Sequence, residues 1–305
     1  MPDVFVVSEE YDGERLDKYL SLVNETLSRS FLQKLIKDGE VLVNGRVPKA
    51  SLKLSENDSI CLNVPQTIVP DILPEPIDIE IIYEDDEVIL VNKPKGMVVH
   101  PGAGHFSGTL VNALMYHCGS SLSGINGIAR PGIVHRTEKD TTGIIIACKN
   151  DRSHRLIAQQ LKDHTVTRRY YAICHGNIKE DELTIDAPLG RHPVDRKKVA
   201  IVRDGRNAVT HVKVLERYGS YTFIECRLET GRMHQIRVHL ASKGHPLLGD
   251  EVYGPADNRY RITGQTLHAY VLGFIHPTTG EYMEFQAELP GYFRALLERF
   301  RQGKL

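Results

Sequence analysis

Two stretches carry most of the side chains able to do chemistry. Residues 133–149 read IVHRTEKDTTGIIIACK and set the carboxylates Glu138 and Asp140 beside His135, Arg136 and Lys139 in a polar step between apolar runs. Residues 228–240 read LETGRMHQIRVHL and bring Arg232, His234, Gln235, Arg237 and His239 together. His234 and His239 are five apart, a spacing that suits neither a shared helical face nor a strand face, so a metal pair is not expected. At helical spacing His234, Arg237 and Leu240 point one way, and an arginine there can pair with a carboxylate or a phosphate. The chain holds no phosphate-cradling glycine loop, no H-E-x-x-H, no G-x-S-x-G and no dinucleotide fingerprint. What remains is carboxylate chemistry beside an arginine, with no cofactor and no metal, on a phosphate-rich substrate. The alternative from the residues alone is an ordinary polar turn and a capped amphipathic helix.

The elements that must position these groups are legible from periodicity. GERLDKYLSLV and SRSFLQKLIKDG place Leu16, Tyr19, Leu20 and Val23, then Phe31, Leu32, Leu35 and Ile36, at helical spacing. Ser28 is the expected N-cap of the second helix and Gly39 its stop. VLVNGRV predicts a hairpin turning at Asn44-Gly45. PQTIVPDILPEPIDIEI has four prolines and no helical period, which predicts an extended linker. Beyond it EVILVNKP, GIIIACK, YYAICHG, HVKVLERY and YTFIECRL read as strands, and DRSHRLIAQQLKDH, GRMHQIRVHLASKG and PGYFRALLERFRQG as helices. Strands and helices do not alternate regularly, so an α+β domain is favoured over a doubly wound sheet. The 133–149 stretch itself reads as strand, tight polar loop and strand.

Composition narrows the class. The 305 residues can hold two domains, and no run approaches the ~18 apolar residues of a membrane span. The start, MPDVFVVSEEYDGERL, lacks the pattern of a signal peptide, which predicts a cytoplasmic protein. Cys61, Cys118, Cys148, Cys174 and Cys226 are scattered without a C-x-x-C pair, which points to reduced, inert thiols. Net charge is −1, but residues 65–90 contain eight acidic and no basic residues, whereas 130–240 contain 21 Lys/Arg against 13 Asp/Glu. The second region is either a solvated surface or a basic groove for phosphates, and charge alone leaves both open.

The helix, helix and hairpin order of the first 64 residues resembles the alpha-L RNA-binding domain shared with a small-subunit ribosomal protein. The resemblance implies that Arg15, Lys18, Arg29, Ser30, Lys34 and Lys37 face RNA. NKPKGMVVHPG, IVHRTEKDTTG, TRRYYAICHG, APLGRHP, LETGRMHQIRVHLASKGHPLLGDEVYG and TLHAY occur in the order found in RluA/RluD-type pseudouridine synthases, and the resemblance spans nearly the whole chain. It implies an alpha-L RNA-binding domain at 1–64, a proline-rich linker at 65–77 and a catalytic domain at 78–305 with a mixed, largely antiparallel sheet. It further implies a cofactor-free isomerisation of uridine to pseudouridine in structured RNA, with large-subunit rRNA as partner. By position Glu138 takes the place of the essential Asp, Arg237 pairs with it, and Tyr170 stacks near the base or moves a proton. Arg136, with His135 beside it, displaces the target base, while Asp140 and Gly143 support the loop, Asp140 by bonding backbone N–H groups.

The loop departs from the family pattern H-R-[apolar]-D-K-D-T-[S/T]-G at two positions, Thr137 and Glu138. Glu keeps the charge but displaces the carboxylate by roughly one bond length, and misplacement of about 1 Å can cost on the order of 10²-fold in rate. A buried Thr137 hydroxyl needs a hydrogen-bond partner. Three functions stay open: a working synthase using Glu138 at reduced rate, a catalytically inactive RNA-binding or ribosome-assembly protein of the same fold, and a glycosidase-like hydrolase using Glu138 and Asp140 as its carboxyl pair.

Overall fold

A computed structural model describes residues 2–24, 27, 29–64, 72–102, 105–127, 130–195, 198–256 and 259–304. The chain divides into two units, residues 1–69 and 70–305. Ser28, expected as an N-cap, and residues 65–71 of the expected linker lie outside the described residues.

In the first unit, strand β1 (Asp3–Val6) is followed by helices α1 (Leu16–Val23) and α2 (Arg29–Lys37), then β2 (Val41–Val43) and β3 (Ser59–Leu62). The apolar positions Leu16, Tyr19 and Leu20 pack against Leu32, Leu35 and Ile36 and against Val41, Ile60 and Leu62 of the sheet. Past α2, Gly39 adopts φ +82°, and the Glu40 N–H returns to the Leu35 carbonyl at 2.9 Å, closing the helix end. Asn44 and Gly45 are both left-handed and form the expected turn. The expected hairpin is not completed, however. The return is a single bridge between Val43 and Arg46, and β2 pairs antiparallel with β3 instead. A second apolar strand was available to cover its edge, and GRV is too short and too polar to do so.

The second unit is built on nine strands among the described residues: β4 (Glu80–Glu84), β5 (Val88–Lys93), β6 (Thr142–Cys148), β7 (Thr167–His175), β8 (Glu182–Asp186), then β11 (Val209–Arg217), β12 (Tyr221–Leu228), β13 (Leu267–Ile275) and β14 (Tyr282–Gln286), with β9 (Leu189–Arg191) and β10 (Val199–Ile201) forming a separate ribbon. The sheet runs β4-β5-β6-β13-β7-β12-β11-β8, with β14 beside β13. Every pair is antiparallel except β6 with β13, which makes this a mixed, largely antiparallel α+β sheet. Helices α3 (Leu110–Cys118), α4 (Asp151–Lys162), α5 (Gln235–Ser242) and α6 (Gly291–Arg301) cover it. Alternate residues of β5 and β6 enter different cores. Ile89, Val91, Ile145 and Ala147 meet α3, while Val88, Leu90, Ile144 and Ile146 meet α4. That two-sided burial explains why β6 reads as a continuous apolar run rather than an alternating one.

Two expectations change here. Residues 72–77, expected as linker, are packed: Ile72 is buried in the α3 core, and the Glu75 N–H donates to the Asn112 carbonyl at 3.0 Å. The segment before the polar loop is no strand. Ile133 makes one bridge to Ala147, because β13 takes the edge of β6 beyond it. The short parallel contact aligns Gly143 with Ala269, and β7 aligns Tyr170 with the same Ala269. A Cβ on Gly143 would lie 2.1 Å from the Ala269 carbonyl oxygen, and its φ is +104°, so glycine alone lets the end of the polar loop dock there. One residue of β13 thus spaces the loop from Tyr170.

Candidate active site

The polar loop is pinned from below by a buried ammonium. Lys93 is fully buried, and its Nζ donates to the carbonyls of Pro94, Met97 and Lys139 at 3.0, 2.9 and 3.0 Å. The Gly96 N–H also donates to the Lys139 carbonyl, so the NKPKG turn and the loop form one hydrogen-bonded piece. Burial pulls the Lys93 pKa down to about 8, against the charges of Asp140 and Glu138. Asp140 is not fastened as expected. Its carboxylate makes no hydrogen bond to loop N–H groups among the described residues; the side chain packs on Gly264, where an added Cβ would lie 2.4 Å from the Asp140 Cβ and 2.6 Å from Oδ2, in the field of Lys93 and Lys95. The backbone it was expected to hold is held by Lys93.

Glu138 is half-buried, and its Oε2 accepts from the Thr141 hydroxyl at 2.8 Å, whose oxygen in turn accepts from Gln265 Nε2 at 2.9 Å. Arg237 does not pair with Glu138. Its fork is taken by the fully buried Asp250, with Nε to Oδ2 at 2.7 Å and Nη2 to Oδ1 at 2.8 Å. Asp250 also accepts from the Val252 and Tyr253 N–H groups at 2.9 and 3.0 Å. Burial pushes the Asp250 carboxyl up, but Arg237 outweighs it and holds the pKa below the usual range. Burial likewise works against the Arg237 cation, and Asp250 more than restores it, with Glu138 adding a smaller favourable field. Glu138 therefore feels Arg237 electrostatically while bonding to its own loop.

His135 serves the sheet as well as the cavity wall. Its Nε2 accepts the Ile146 N–H of β6 at 3.1 Å, a donor that has no strand beside it there. Burial lowers its pKa to about 4, so the ring is neutral, and it lines the cavity next to Arg136. Arg136 is exposed at the cavity rim and makes no hydrogen bond among the described residues. Tyr170 is half-buried in the same wall, and burial raises its pKa. The Thr137 hydroxyl is buried without a partner. Thr137→Val is expected to raise folding stability by ~1 kcal/mol, measured by urea unfolding, because an orphaned buried hydroxyl costs about that much or more.

Glu138, Arg237, Tyr170 and Arg136 all line one open cavity of about 940 Å³. Six Lys/Arg side chains and a single carboxylate, Glu138, face it among the described residues. Asp140 is not in the wall, so the carboxyl pair of a glycosidase is missing. Two residues were not singled out from the sequence, and a third sits in a different conformation from the one expected. Asp250 lies in the quoted LLGDEVYG block but carries no local signal of a partner. Arg168, within TRRYYAICHG, is 8% exposed in the cavity wall; a Cβ on Gly231 would lie 2.4 Å from its Nη1, so that glycine makes room for the cation. His234, read as a helical residue, is instead the left-handed N-cap of α5 at φ +55°.

In the first unit, Asp17 is fully buried and gathers Arg15 (Nε to Oδ1, 3.0 Å), Arg29 (Nη2 to Oδ2, 2.9 Å) and Gln33 (Nε2 to Oδ2, 2.7 Å). The Arg15 bonds, helped by Gln33 and Arg29, hold its carboxyl far below the usual range despite burial. About half of each arginine stays exposed, at 47% and 50%. Lys18 is paired with Glu14, and Lys34 and Lys37 are exposed on α2. Asp17→Asn is expected to weaken RNA binding on the order of tenfold by releasing two pre-organised guanidinium groups. Binding titrations against a salt series would check this, and tighter binding would mean that Asp17 competes with RNA.

A mixed sheet carrying one carboxylate among six cations defines a site for carboxylate chemistry on a phosphate-bearing substrate. Residues 87–242 match the RNA pseudouridylate synthase family, and residues 14–60 match the S4 domain. The chain is 52% identical to an uncharacterized RNA pseudouridine synthase of Bacillus subtilis, over 97% of each. It is 45% identical to ribosomal large subunit pseudouridine synthase D of Zymomonas mobilis, over 93% of each, and 41% identical to the enzyme of that name from Pseudomonas aeruginosa, over 97% of this chain and 94% of the relative. Human RNA pseudouridylate synthase domain containing 4 superposes with a TM-score of 0.58 at 25% identity, covering 73% of this chain and 93% of that one. The chain belongs to the RNA pseudouridylate synthase family, with an S4 domain ahead of the synthase domain. No helix among the described residues is long and apolar enough to cross a membrane.

Proposed function

We propose that this protein isomerises uridine to pseudouridine in large-subunit rRNA, without a cofactor, using Glu138 as the reacting carboxylate. The observation that carries the reading is the single carboxylate set among six cations in one cavity, beside Tyr170. Cations around the mouth suit the phosphates flanking a flipped nucleotide, and the cavity volume lies in the range that encloses a small ligand. Large-subunit rRNA follows from the relatives called ribosomal large subunit pseudouridine synthase D. Residues 1–64 act as the RNA-binding domain through Arg15, Lys18, Arg29, Lys34 and Lys37, and residues 78–305 as the catalytic domain. Arg136 fills the place of the displaced base. Arg237 supplies positive potential to Glu138 rather than a direct bond, and Gly143 and Lys93 support the loop.

The test is tritium release from C5-labelled uridine in a large-subunit rRNA transcript. Release by the unaltered chain, lost in Glu138→Ala, is the expected result. Unchanged release in Glu138→Ala would reject the carboxylate assignment. Undiminished RNA binding with no release, from the unaltered chain or from Glu138→Asp, would make this an RNA-binding protein of the synthase fold.

A further inference from the structure

The left-handed conformation of His234 has a visible cause and a visible consequence. Left-handed backbone is unfavourable for a residue with a Cβ and persists only where its surroundings over-determine it. Buried Gln235 does so. Its Oε1 accepts from the Arg232 N–H at 2.9 Å and the Thr230 hydroxyl at 2.8 Å, and its Nε2 donates to the Val209 carbonyl at 3.0 Å. The turn thereby sets the imidazole at the N-terminal end of α5 in the wall of the cavity that holds Glu138. There its Nδ1 lies 2.8 Å from the Tyr253 hydroxyl.

The hydrogen-bond directions around Tyr253 select one tautomer. The Tyr253 oxygen accepts the Val199 N–H at 2.9 Å, and its only other hydrogen-bond partner among the described residues is His234 Nδ1. Nδ1 is the one acceptor offered to the hydroxyl proton among the described residues, which favours a bare Nδ1 and the proton on Nε2. Nε2 has no partner among the described residues and is not sealed in the protein, so its N–H opens to the cavity. The Tyr253 ring lies 5.1 Å beneath the Arg237 guanidinium and packs edge-on against the His234 ring at 5.6 Å. Burial and the Arg237 charge both disfavour imidazolium, while Glu138 and Asp250 favour it and Arg136 opposes it; the sum lowers the pKa.

The geometry points to His234 as a further catalytic residue: a neutral Nε2–H donor to a carbonyl oxygen of the target uracil, with Tyr253 as the positioning residue that fixes its tautomer. The assignment rests on the isomerase reading. When the C1′–N1 bond breaks, its electron pair leaves with the uracil and spreads from N1 onto the ring carbonyls. A fixed donor stabilises that growing charge and keeps its own proton. A neutral donor in the wall beside Glu138 suits a carbonyl, whereas the phosphates have Lys139, Lys162, Arg168 and Arg232 along the cavity lining.

The test combines kinetics with a measurement that needs no activity. Nitrogen-15 histidine spectra of the whole protein at neutral pH, assigned with His234→Phe, are expected to show the Nε2–H form, and Tyr253→Phe to mix the tautomers. An Nδ1–H form in the unaltered chain would overturn the assignment. Tritium release from the rRNA transcript, measured in the unaltered chain and in the Glu138→Asp background, is expected to fall in kcat on the order of 10²-fold in His234→Phe, with KM changed by less than about threefold. A smaller loss is expected in His234→Gln, whose amide can still donate. A kcat unaffected by His234→Phe, or a loss confined to KM and thermal stability, would leave His234 a structural residue and overturn the assignment alone. No release in either background would instead remove the isomerase reading and this assignment with it.

Discussion

Glu138→Asp is expected to raise the rate of tritium release by about two orders of magnitude, with RNA affinity unchanged. The carboxylate of Glu138 sits one methylene further from the backbone than the Asp that the motif resemblance leads one to expect there, a displacement of roughly 1–1.5 Å from the C–C bond length. The extra reach is absorbed by the bond to the Thr141 hydroxyl, three residues along the same loop and itself fixed by Gln265. That arrangement holds the oxygen still, but at a place chosen by the loop rather than by substrate. The pins that set the loop backbone, Lys93 and Gly143, do not involve the Glu138 side chain and survive the exchange. The comparison is one of single-turnover rates on the same transcript. Equal rates would show that the site has adapted to glutamate, and a slower Asp variant would reverse the argument.

Asp250→Ala is expected to cost about 3–5 kcal/mol of folding stability, because it strands the Arg237 cation in a buried site. Four donors converge on this carboxylate: two from Arg237 and the N–H groups of Val252 and Tyr253. Only 5% of Arg237 is exposed, so water cannot replace them. The loss is to be read from urea unfolding, and a change below about 1 kcal/mol would mean that Arg237 finds another partner. Removing both charges together, as in Asp250→Leu with Arg237→Met, is expected to restore much of the stability while leaving the site inactive. That contrast separates the cost of an orphaned charge from the worth of the pair.

Sequence and structure divide the work at particular residues. The buried run TGIIIAC was readable as a strand because both its faces enter a core, and α1 and α2 were readable because their apolar positions recur at 3.6 residues. The turn at Asn44-Gly45 was readable as a turn, but not the strand that would pair next, since register depends on which edge is left open. His135 and Arg136 are adjacent in the chain, yet one accepts a backbone N–H of β6 and the other is exposed at the rim. Nothing local distinguishes them, because the Ile146 donor is eleven residues away and is left open by the course of β13.

The amino-acid sequence by itself determined the family, the helices and most of the strands, and the carboxylate loop, since these depend on residue order and short-range period. Only the tertiary structure decided which groups the site contains and what each is bonded to. Arg237 turned from Glu138 to Asp250 because a carboxylate thirteen residues on, with two backbone N–H groups already converging on it, lies buried beside its guanidinium. His234 left the helix because buried Gln235 ties the preceding turn to Val209. Asp140 left the cavity wall, so Glu138 remained its single carboxylate, a distinction that two residues of separation in the sequence could not express. Hydrogen-bond partners are set by distance in space, and in a sheet whose neighbours are more than a hundred residues apart, as β6 and β13 are, that distance is not written in the local pattern.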